Sequence, residues 1–199
     1  APAPWSPGSP LDGRSVVVTG ASRGIGLALC RELARKGCDV TAAVRSRASC
    51  ARELEGLGVS RVMELDVSEQ ASVQAFADAV PAPVDCLVNN AGVMGETWDL
   101  SEASRAEMRE VFEVNTLGPL FLSRALLKRR KFGPRALVAN VSAKVGSVDD
   151  NESGGGYAYR ASKAALNVVT KSLAVDLAEQ GLVAVVLHPG HVRTGMTGG

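Results

Sequence analysis

Short runs of β-branched residues alternate along this chain with longer stretches whose apolar residues recur at helical spacing. The runs predict six strands, at Ser15–Thr19, Val40–Val44, Arg61–Leu65, Asp85–Asn89, Ala136–Val141 and Val183–Leu187. The stretches between them predict helices at Ile25–Lys36, Ala48–Gly56, Ser68–Val80, Ser101–Lys131 with an interruption near Gly118 and Pro119, and Tyr157–Gln180. This alternation is typical of an α/β domain, a doubly wound parallel sheet with helices on both faces. Ligands of such sheets bind beyond the carboxyl ends of the strands.

Composition favours a single folded domain. Of 199 residues, 46% are hydrophobic and 22% are charged, values close to the globular average. Four prolines among the first ten residues predict an extended tail over residues 1–11, because proline is unfavourable inside helices and strands. We therefore expect the domain to occupy residues 12–199.

Charge and cysteine usage exclude several classes of partner. The net charge is +1, so no overall positive field exists to bind nucleic acid or an anionic membrane. The longest purely apolar run, Leu182–Leu187, is far shorter than the roughly 20 residues of a membrane-spanning helix.

Four cysteines without a Cys-x-x-Cys pair, and two histidines, predict neither a metal site nor a disulfide framework. A reducing compartment is expected, either the cytoplasm or the interior of an organelle.

A glycine-rich turn joins the first strand to the first helix. It reads Gly20-Ala21-Ser22-Arg23-Gly24-Ile25-Gly26. Glycines at this position allow a tight turn, so that a ligand phosphate can approach the backbone amides and the positive end of the helix dipole. The Lys-Ser/Thr pair of a nucleoside triphosphate loop is missing. A dinucleotide cradle is the favoured interpretation, and an ordinary strand-to-helix turn is the alternative.

The residue after the second strand bears on the choice of dinucleotide. An NAD site usually has Asp or Glu there, whereas this chain has Arg45. Arg23, in the glycine turn, would add a second cation, and guanidinium groups bind phosphate well. The sequence therefore predicts NADP, with NAD less favoured. Alternatively, the arginines are solvated loop charges.

Tyr159 and Lys163 are four residues apart on a predicted helix, so their side chains lie on one face. A phenol is a poor proton donor or acceptor near neutral pH, but a nearby ammonium group favours its ionised form. We expect Tyr159 to carry acid-base chemistry with a pKa lowered by Lys163 together with a cationic nicotinamide ring. Tyr157 is the competing phenol, and the position of the lysine selects Tyr159.

Taken in order, these motifs resemble the short-chain dehydrogenase/reductase family. They are Thr19-Gly20-x-x-x-Gly24-x-Gly26, Asn89-Asn90-Ala91-Gly92, Asn115, Ser142, Tyr159-x-x-x-Lys163 and Pro189-Gly190. The similarity runs from about Gly13 to Thr194, and the segment Ser153–Lys163 resembles the C-factor-like and sniffer-like carbonyl reductase branch. The fold that the resemblance implies is the Rossmann fold.

The resemblance also implies a role for each matching residue. Tyr159 would be the general acid, Lys163 would hold the nicotinamide ribose, Ser142 would bind the substrate oxygen, and Asn115 would order a water. The implied cofactor contacts are Gly20, Ser22, Arg23, Gly24, Ile25, Gly26, Arg45, Asp66, Val67, Asn90, Ala91, Gly92, Tyr159, Lys163, Pro189, Gly190, Val192 and Thr194. From the residues alone, Asp66 could equally cap the following helix, and Asn89-Asn90 could be a turn.

The sequence thus predicts an NADP-dependent carbonyl reductase or alcohol dehydrogenase acting on a small molecule. The family usually continues with a substrate-covering helix and a seventh strand, whereas this sequence ends at Gly199. We therefore expect a sheet that lacks the final strand. This expectation motivates the alternative of a structural or regulatory subunit that binds cofactor without turnover. The resemblance further implies an oligomer that assembles through the long helices at Ser101–Lys131 and Tyr157–Gln180. Because the final strand is missing, we expect a homodimer, or membership of a larger complex.

Overall fold

The computed structural model describes residues 10–190 and 192, which build a six-stranded parallel sheet with helices on both faces. The strands are β1 Ser15–Thr19, β2 Asp39–Val44, β3 Arg61–Glu64, β4 Val84–Asn89, β5 Phe132–Val141 and β6 Val183–Leu187. The helices are α1 Gly24–Arg35, α2 Ala51–Gly56, α3 Gln70–Ala79, α4 Arg105–Phe112, α5 Gly118–Lys128 and α6 Tyr157–Asp176. Single 3₁₀ turns lie at Leu100–Glu102, Lys144–Gly146 and Ala178–Gln180.

The strand order is β3-β2-β1-β4-β5-β6, and every pairing is parallel. This order confirms the doubly wound Rossmann fold. The direction of winding reverses between β1 and β4, and a crevice forms where the loops after these two strands diverge. The glycine turn follows β1 and the Asn-Asn-Ala-Gly motif follows β4, so both motifs meet at this crevice.

Alternate residues of each strand pack into two separate hydrophobic cores, one on each face of the sheet. Val16 and Val18 pack with α1 and α2 on one face, whereas Val17 packs with α3 and α5 on the other. The period of two residues in a strand causes this division. Because both faces are covered, the strands are almost continuously apolar, which explains why their positions are readable in the sequence.

The stretch expected to be one interrupted helix, Ser101–Lys131, is different in the structure. It consists of a 3₁₀ turn, α4, a π-helical segment at Glu113–Leu117 and α5. The interruption therefore precedes Gly118 and Pro119, which sit in the first turn of α5, where proline costs no hydrogen bond. In the π segment each turn contains about one residue more than in an α-helix. This segment carries Asn115.

Smaller differences concern the ends of the chain and of its elements. The predicted tail falls mostly on residues 1–9, which lie outside the described residues, but Leu11 packs against the core on the α1 side. The expected helix starts at Ala48 and Ser68 are replaced by starts at Ala51 and Gln70. Among the residues that the structure describes, no helix is long and apolar enough to cross a membrane.

Candidate active site

Close packing, and not only a tight turn, requires glycine at two positions of the turn after β1. A Cβ atom on Gly20 would lie 2.8 Å from Ala91 Cα, and the φ of Gly20 is +64°. A Cβ atom on Gly26 would overlap the carbonyl oxygen of Gly20 and lie 2.6 Å from Asn90 Nδ2. Helix α1 therefore begins directly against the loop after β4.

Hydrogen bonds join the two loops at this crevice. The hydroxyl oxygen of Thr19 accepts from the backbone N–H groups of Asn90 and Ala91, at 3.0 Å each. The amide of Asn90 donates to the carbonyl oxygens of Thr19 at 2.9 Å and Gly20 at 3.2 Å. Asn90 thus holds the glycine turn in place. Its role is therefore not limited to the simple turn that Asn89-Asn90 could have formed.

A cavity of about 240 Å³ lies beyond the carboxyl ends of the strands at this crevice. Ten of the expected cofactor contacts line it: Gly20, Arg23, Gly24, Ile25, Arg45, Asp66, Val67, Asn90, Ala91 and Gly92. Sequence reasoning missed five further lining residues, which are Leu65, Ser68, Val93, Glu110 and Val114.

The remaining expected contacts are not part of that lining. Ser22 and Gly26 belong to the glycine turn but do not line the cavity. Tyr159 and Lys163 on α6 are also outside the lining, as are Pro189, Gly190 and Val192, which follow β6. Gly26 acts behind the turn through its packing. Thr194 lies outside the described residues.

The polar and charged lining suits an adenosine moiety with an added phosphate. Arg23 and Arg45 come from different loops and reach the same cavity. The Asp66 carboxylate accepts from the backbone N–H of Ser68 at 3.0 Å and from its hydroxyl at 2.6 Å. Asp66 therefore organises the turn before α3 and lines the cavity. It does not cap α3, whose N-cap residue is Glu69.

Asn115 is fully buried in the π segment and connects three elements. Its Oδ1 accepts from the backbone N–H of Val93 at 2.8 Å, and its Nδ2 donates to the Val93 carbonyl at 2.8 Å and to Ser162 Oγ at 3.0 Å. Both amide hydrogens are therefore engaged. The side chain of Asn115 holds the loop after β4 against α6.

Tyr159 and Lys163 lie in the first two turns of α6. Lys163 is 4% exposed, its Nζ donates to the Val141 carbonyl at 2.8 Å, and the same Nζ lies 5.7 Å from the centroid of the Tyr159 ring. Burial lowers the pKa of Lys163 to about 8. The structure thus brings together the two residues that the sequence had paired.

The expected lowering of the Tyr159 pKa is not found in this structure, where burial raises the pKa of Tyr159. Two features explain the difference. The ammonium group lies 5.7 Å from the centroid of the ring and donates its hydrogen bond to the Val141 carbonyl. Its own pKa of about 8 means that it has lost its charge by the pH at which the phenol would ionise. Desolvation of the phenol therefore outweighs the attraction of the lysine.

Ser142 follows β5 and is buried beside Lys163. Its hydroxyl donates to Asn167 Oδ1 at 2.8 Å, and its backbone N–H donates to the Leu187 carbonyl at 2.8 Å. Sequence reasoning missed Asn167, although a signal existed: Tyr159, Lys163 and Asn167 form a polar stripe with a spacing of four residues.

Comparison with known proteins identifies the family. Residues 14–199 match the short chain dehydrogenase family. The chain belongs to this family, and the resemblance expected from its motifs is confirmed.

Individual relatives agree with this result. C-signal of Myxococcus xanthus is 46% identical over 127 residues, which cover 63% of this chain and 76% of that protein. The NADPH-bound carbonyl reductase from chicken fatty liver superposes with a TM-score of 0.87 at 33% identity, over 94% of this chain and 83% of that one. Carbonyl reductase Sniffer of D. melanogaster gives 0.82 at 31% identity, over 92% and 83%. The chain therefore has the fold and family of an oxidoreductase.

Proposed function

We propose that this protein is an NADP-dependent oxidoreductase that interconverts a small carbonyl compound and its alcohol. The observation that carries the proposal is the convergence of Tyr159, Lys163 and Ser142 at the end of β5, on the same edge of the sheet as the glycine-lined cavity. An acid-base phenol beside a nucleotide cavity is an arrangement that supports hydride transfer to a carbonyl, because the phenol can protonate the oxygen as the carbon accepts the hydride.

The cavity fits the adenosine half of a phosphorylated dinucleotide. Gly20 and Gly24 line it, and α1 begins at Gly24, so that the positive end of the helix dipole lies at the cavity. Arg23 and Arg45 supply two cations where a 2′-phosphate would lie. The NADPH-bound chicken carbonyl reductase supports the same choice.

Each residue of the site then has its own role in the reaction. A bound nicotinamide supplies the hydride to the carbonyl carbon, or accepts it in the reverse direction. Tyr159 donates its phenolic proton to the carbonyl oxygen, and Ser142 donates a hydrogen bond to the same oxygen after its hydroxyl turns away from Asn167. Lys163 holds the ribose. Asn115 keeps the loop after β4 in place, and a role in ordering a water remains a prediction.

The protonation state of Tyr159 favours one direction. Because burial raises its pKa, Tyr159 is protonated near neutral pH and can serve as the acid of carbonyl reduction. Alcohol oxidation needs the ionised phenol, so its rate should rise with pH as that group deprotonates. We propose reduction as the favoured direction near neutral pH.

The alternative is a cofactor-binding subunit without turnover. It would keep the cavity and its arginines but would have no need for Tyr159, Lys163 and Ser142 together. Their presence at one site therefore favours the enzyme.

Assembly and compartment follow as parts of the same proposal. The outer faces of α5 and α6 expose Phe121 at 44%, Val168 at 68% and Val175 at 60%. An apolar surface of this kind supports a homodimer through these helices, with a larger complex as the alternative. The four cysteines are free and buried, which is compatible with a reducing compartment.

One experiment tests the proposed function. The absorbance of NADPH is followed with the full chain against a panel of aldehydes, quinones and diketones, and NADPH affinity is measured by calorimetry. We expect turnover in the wild type, with loss of turnover and nearly unchanged NADPH affinity in Tyr159→Phe, which removes one hydroxyl and keeps the ring. Tight NADPH binding without turnover on any substrate would favour the non-enzymatic alternative.

A further inference from the structure

Trp98, in the loop between β4 and α4, lies flat across two glycines that immediately precede α6. A Cβ atom on Gly155 would lie 2.6 Å from both Cδ1 and Nε1 of Trp98, and a Cβ atom on Gly156 would lie 2.7 Å from its Cη2. The five-membered ring therefore covers Gly155 and the six-membered ring covers Gly156. No side chain larger than hydrogen fits under the indole at either position.

Polar contacts reinforce this packing. The backbone N–H of Gly156 donates to the Trp98 carbonyl at 2.8 Å. The guanidinium of Arg160 lies 5.9 Å from the centroid of the Trp98 ring and donates to the Gly155 carbonyl at 3.0 Å and to Ser153 Oγ at 2.8 Å. We call the group formed by Trp98, Gly155, Gly156 and Arg160 the indole clasp.

The loop that carries Trp98 is itself tied down at its other end. The carboxylate of Glu107, on α4, accepts from the backbone N–H groups of Glu96 and Thr97 and from the Thr97 hydroxyl. Gly95 leaves room for that carboxylate, because a Cβ atom there would lie 2.8 Å from Glu107 Oε1. Trp98 is thus a fixed surface for the start of α6 and not part of a loose loop.

We propose that Trp98 is a positioning residue that, through the indole clasp, sets the start of α6 and with it the place of the Tyr159 phenol. The inference rests on the proposed function and deepens it. Tyr159 is the third residue of α6, and Gly156 directly precedes the helix. A shift at Gly155 or Gly156 is therefore passed to Tyr159 within one helical turn.

The expected consequence is kinetic. A displacement of about 1 Å in a reacting group can cost up to about 100-fold in rate. The cavity assigned to the adenosine half does not include any residue of the indole clasp. Disrupting the clasp should therefore lower kcat and leave NADPH affinity almost unchanged.

The chain offers a matched control for this test. Gly154 has a φ of +62°, close to the +69° of Gly155, but a Cβ atom on Gly154 would meet nothing within 4 Å. Gly154→Ala and Gly155→Ala therefore carry similar backbone strain, and only Gly155→Ala collides with Trp98. We expect kcat to fall at least about tenfold more in Gly155→Ala than in Gly154→Ala.

A double variant identifies Trp98 as the partner. Trp98→Ala alone should lower kcat. Adding Gly155→Ala to it should cost much less than Gly155→Ala costs in the wild type, because the indole contacts are gone and only the backbone carbonyl oxygen of residue 98, at 3.0 Å, remains close to the new Cβ. Equal effects of Gly154→Ala and Gly155→Ala in the wild type, or an undiminished effect of Gly155→Ala without Trp98, would overturn the proposal. The Trp98→Ala variant also keeps the test valid if Gly155→Ala fails to fold.

A second readout does not depend on activity. The chain has two tyrosines, so Tyr157→Phe leaves Tyr159 as the single phenol whose ionisation can be followed by ultraviolet absorbance. Tyr159 is half-buried beside Lys163, and this burial raises its pKa. Gly155→Ala in this background should move that pKa toward its ordinary value, whereas Gly154→Ala should not. If the wild type reduces no carbonyl compound, the proposed function fails, and this titration alone tests whether the indole clasp positions Tyr159. A Tyr159 pKa that is unchanged by Gly155→Ala would overturn the positioning role of the clasp.

Discussion

Gly26→Ala should damage both the stability of the fold and the cofactor cavity. The added methyl group would overlap the Gly20 carbonyl oxygen and lie 2.6 Å from Asn90 Nδ2 and 2.9 Å from the Gly20 carbonyl carbon. Two of these three atoms belong to the backbone, and Asn90 is held by its bonds to the carbonyls of Thr19 and Gly20. None of the three can move without displacing the glycine turn.

The size of the effect follows from this crowding. Forcing a methyl group into a packed site costs roughly 1 to 3 kcal/mol. For a domain of this size, about 2 to 4 °C in Tm corresponds to each kcal/mol, so the melting temperature should fall by roughly 2 to 12 °C. Because the displaced turn is also the cradle of the cavity, NADPH affinity should fall at least about tenfold, which is about 1.4 kcal/mol.

Thermal unfolding and calorimetry with NADPH measure the two effects. Gly56→Ala is the control, because Gly56 is also helical and a Cβ atom there would meet nothing within 4 Å. That variant should be neutral or stabilised by up to about 1 kcal/mol, since alanine is the better helix former. If Gly26→Ala matched Gly56→Ala in both Tm and NADPH affinity, the packing assigned to the glycine turn would be wrong.

Three further predictions address charge, pH and assembly. Arg45→Asp should shift the binding preference from NADPH toward NADH by at least about tenfold, which is about 1.4 kcal/mol by calorimetry. Arg47→Asp, which lies outside the cavity, should cause no such shift. Equal shifts in the two variants would show that Arg45 does not bind the 2′-phosphate. The pKa of Lys163 is about 8 in the folded protein and 10.5 ordinarily, so the unfolded chain binds more protons than the folded one between these pH values. The free energy of unfolding should therefore rise with pH across that window, by about 3 kcal/mol relative to Lys163→Met. Denaturant titrations measure this difference, and parallel pH profiles of the two proteins would contradict it. Light scattering should find a dimer, and Val168→Glu on the exposed face of α6 should dissociate it; a clean, stable wild-type monomer would refute the proposed interface.

The sequence determined the fold class and the main motifs because both depend on local patterns. Strands buried on both faces are almost continuously apolar, and helices repeat their apolar positions every three to four residues, so each is legible without tertiary information. The turn at Gly20 and the pair of Tyr159 and Lys163 are likewise contained within one turn or one helix. Such features need no knowledge of what packs against them.

Tertiary structure alone decided the features that depend on residues far apart in the chain. The π segment places Asn115 against Val93 and Ser162, and no local pattern distinguishes it from an ordinary helix. The pKa of Tyr159 was expected to fall because Lys163 is near in sequence, but burial by the surrounding chain raises it. Trp98 meets Gly155 across more than fifty residues of intervening chain. Desolvation and packing are sums over all neighbours in space, and the chain acquires those neighbours only when it folds.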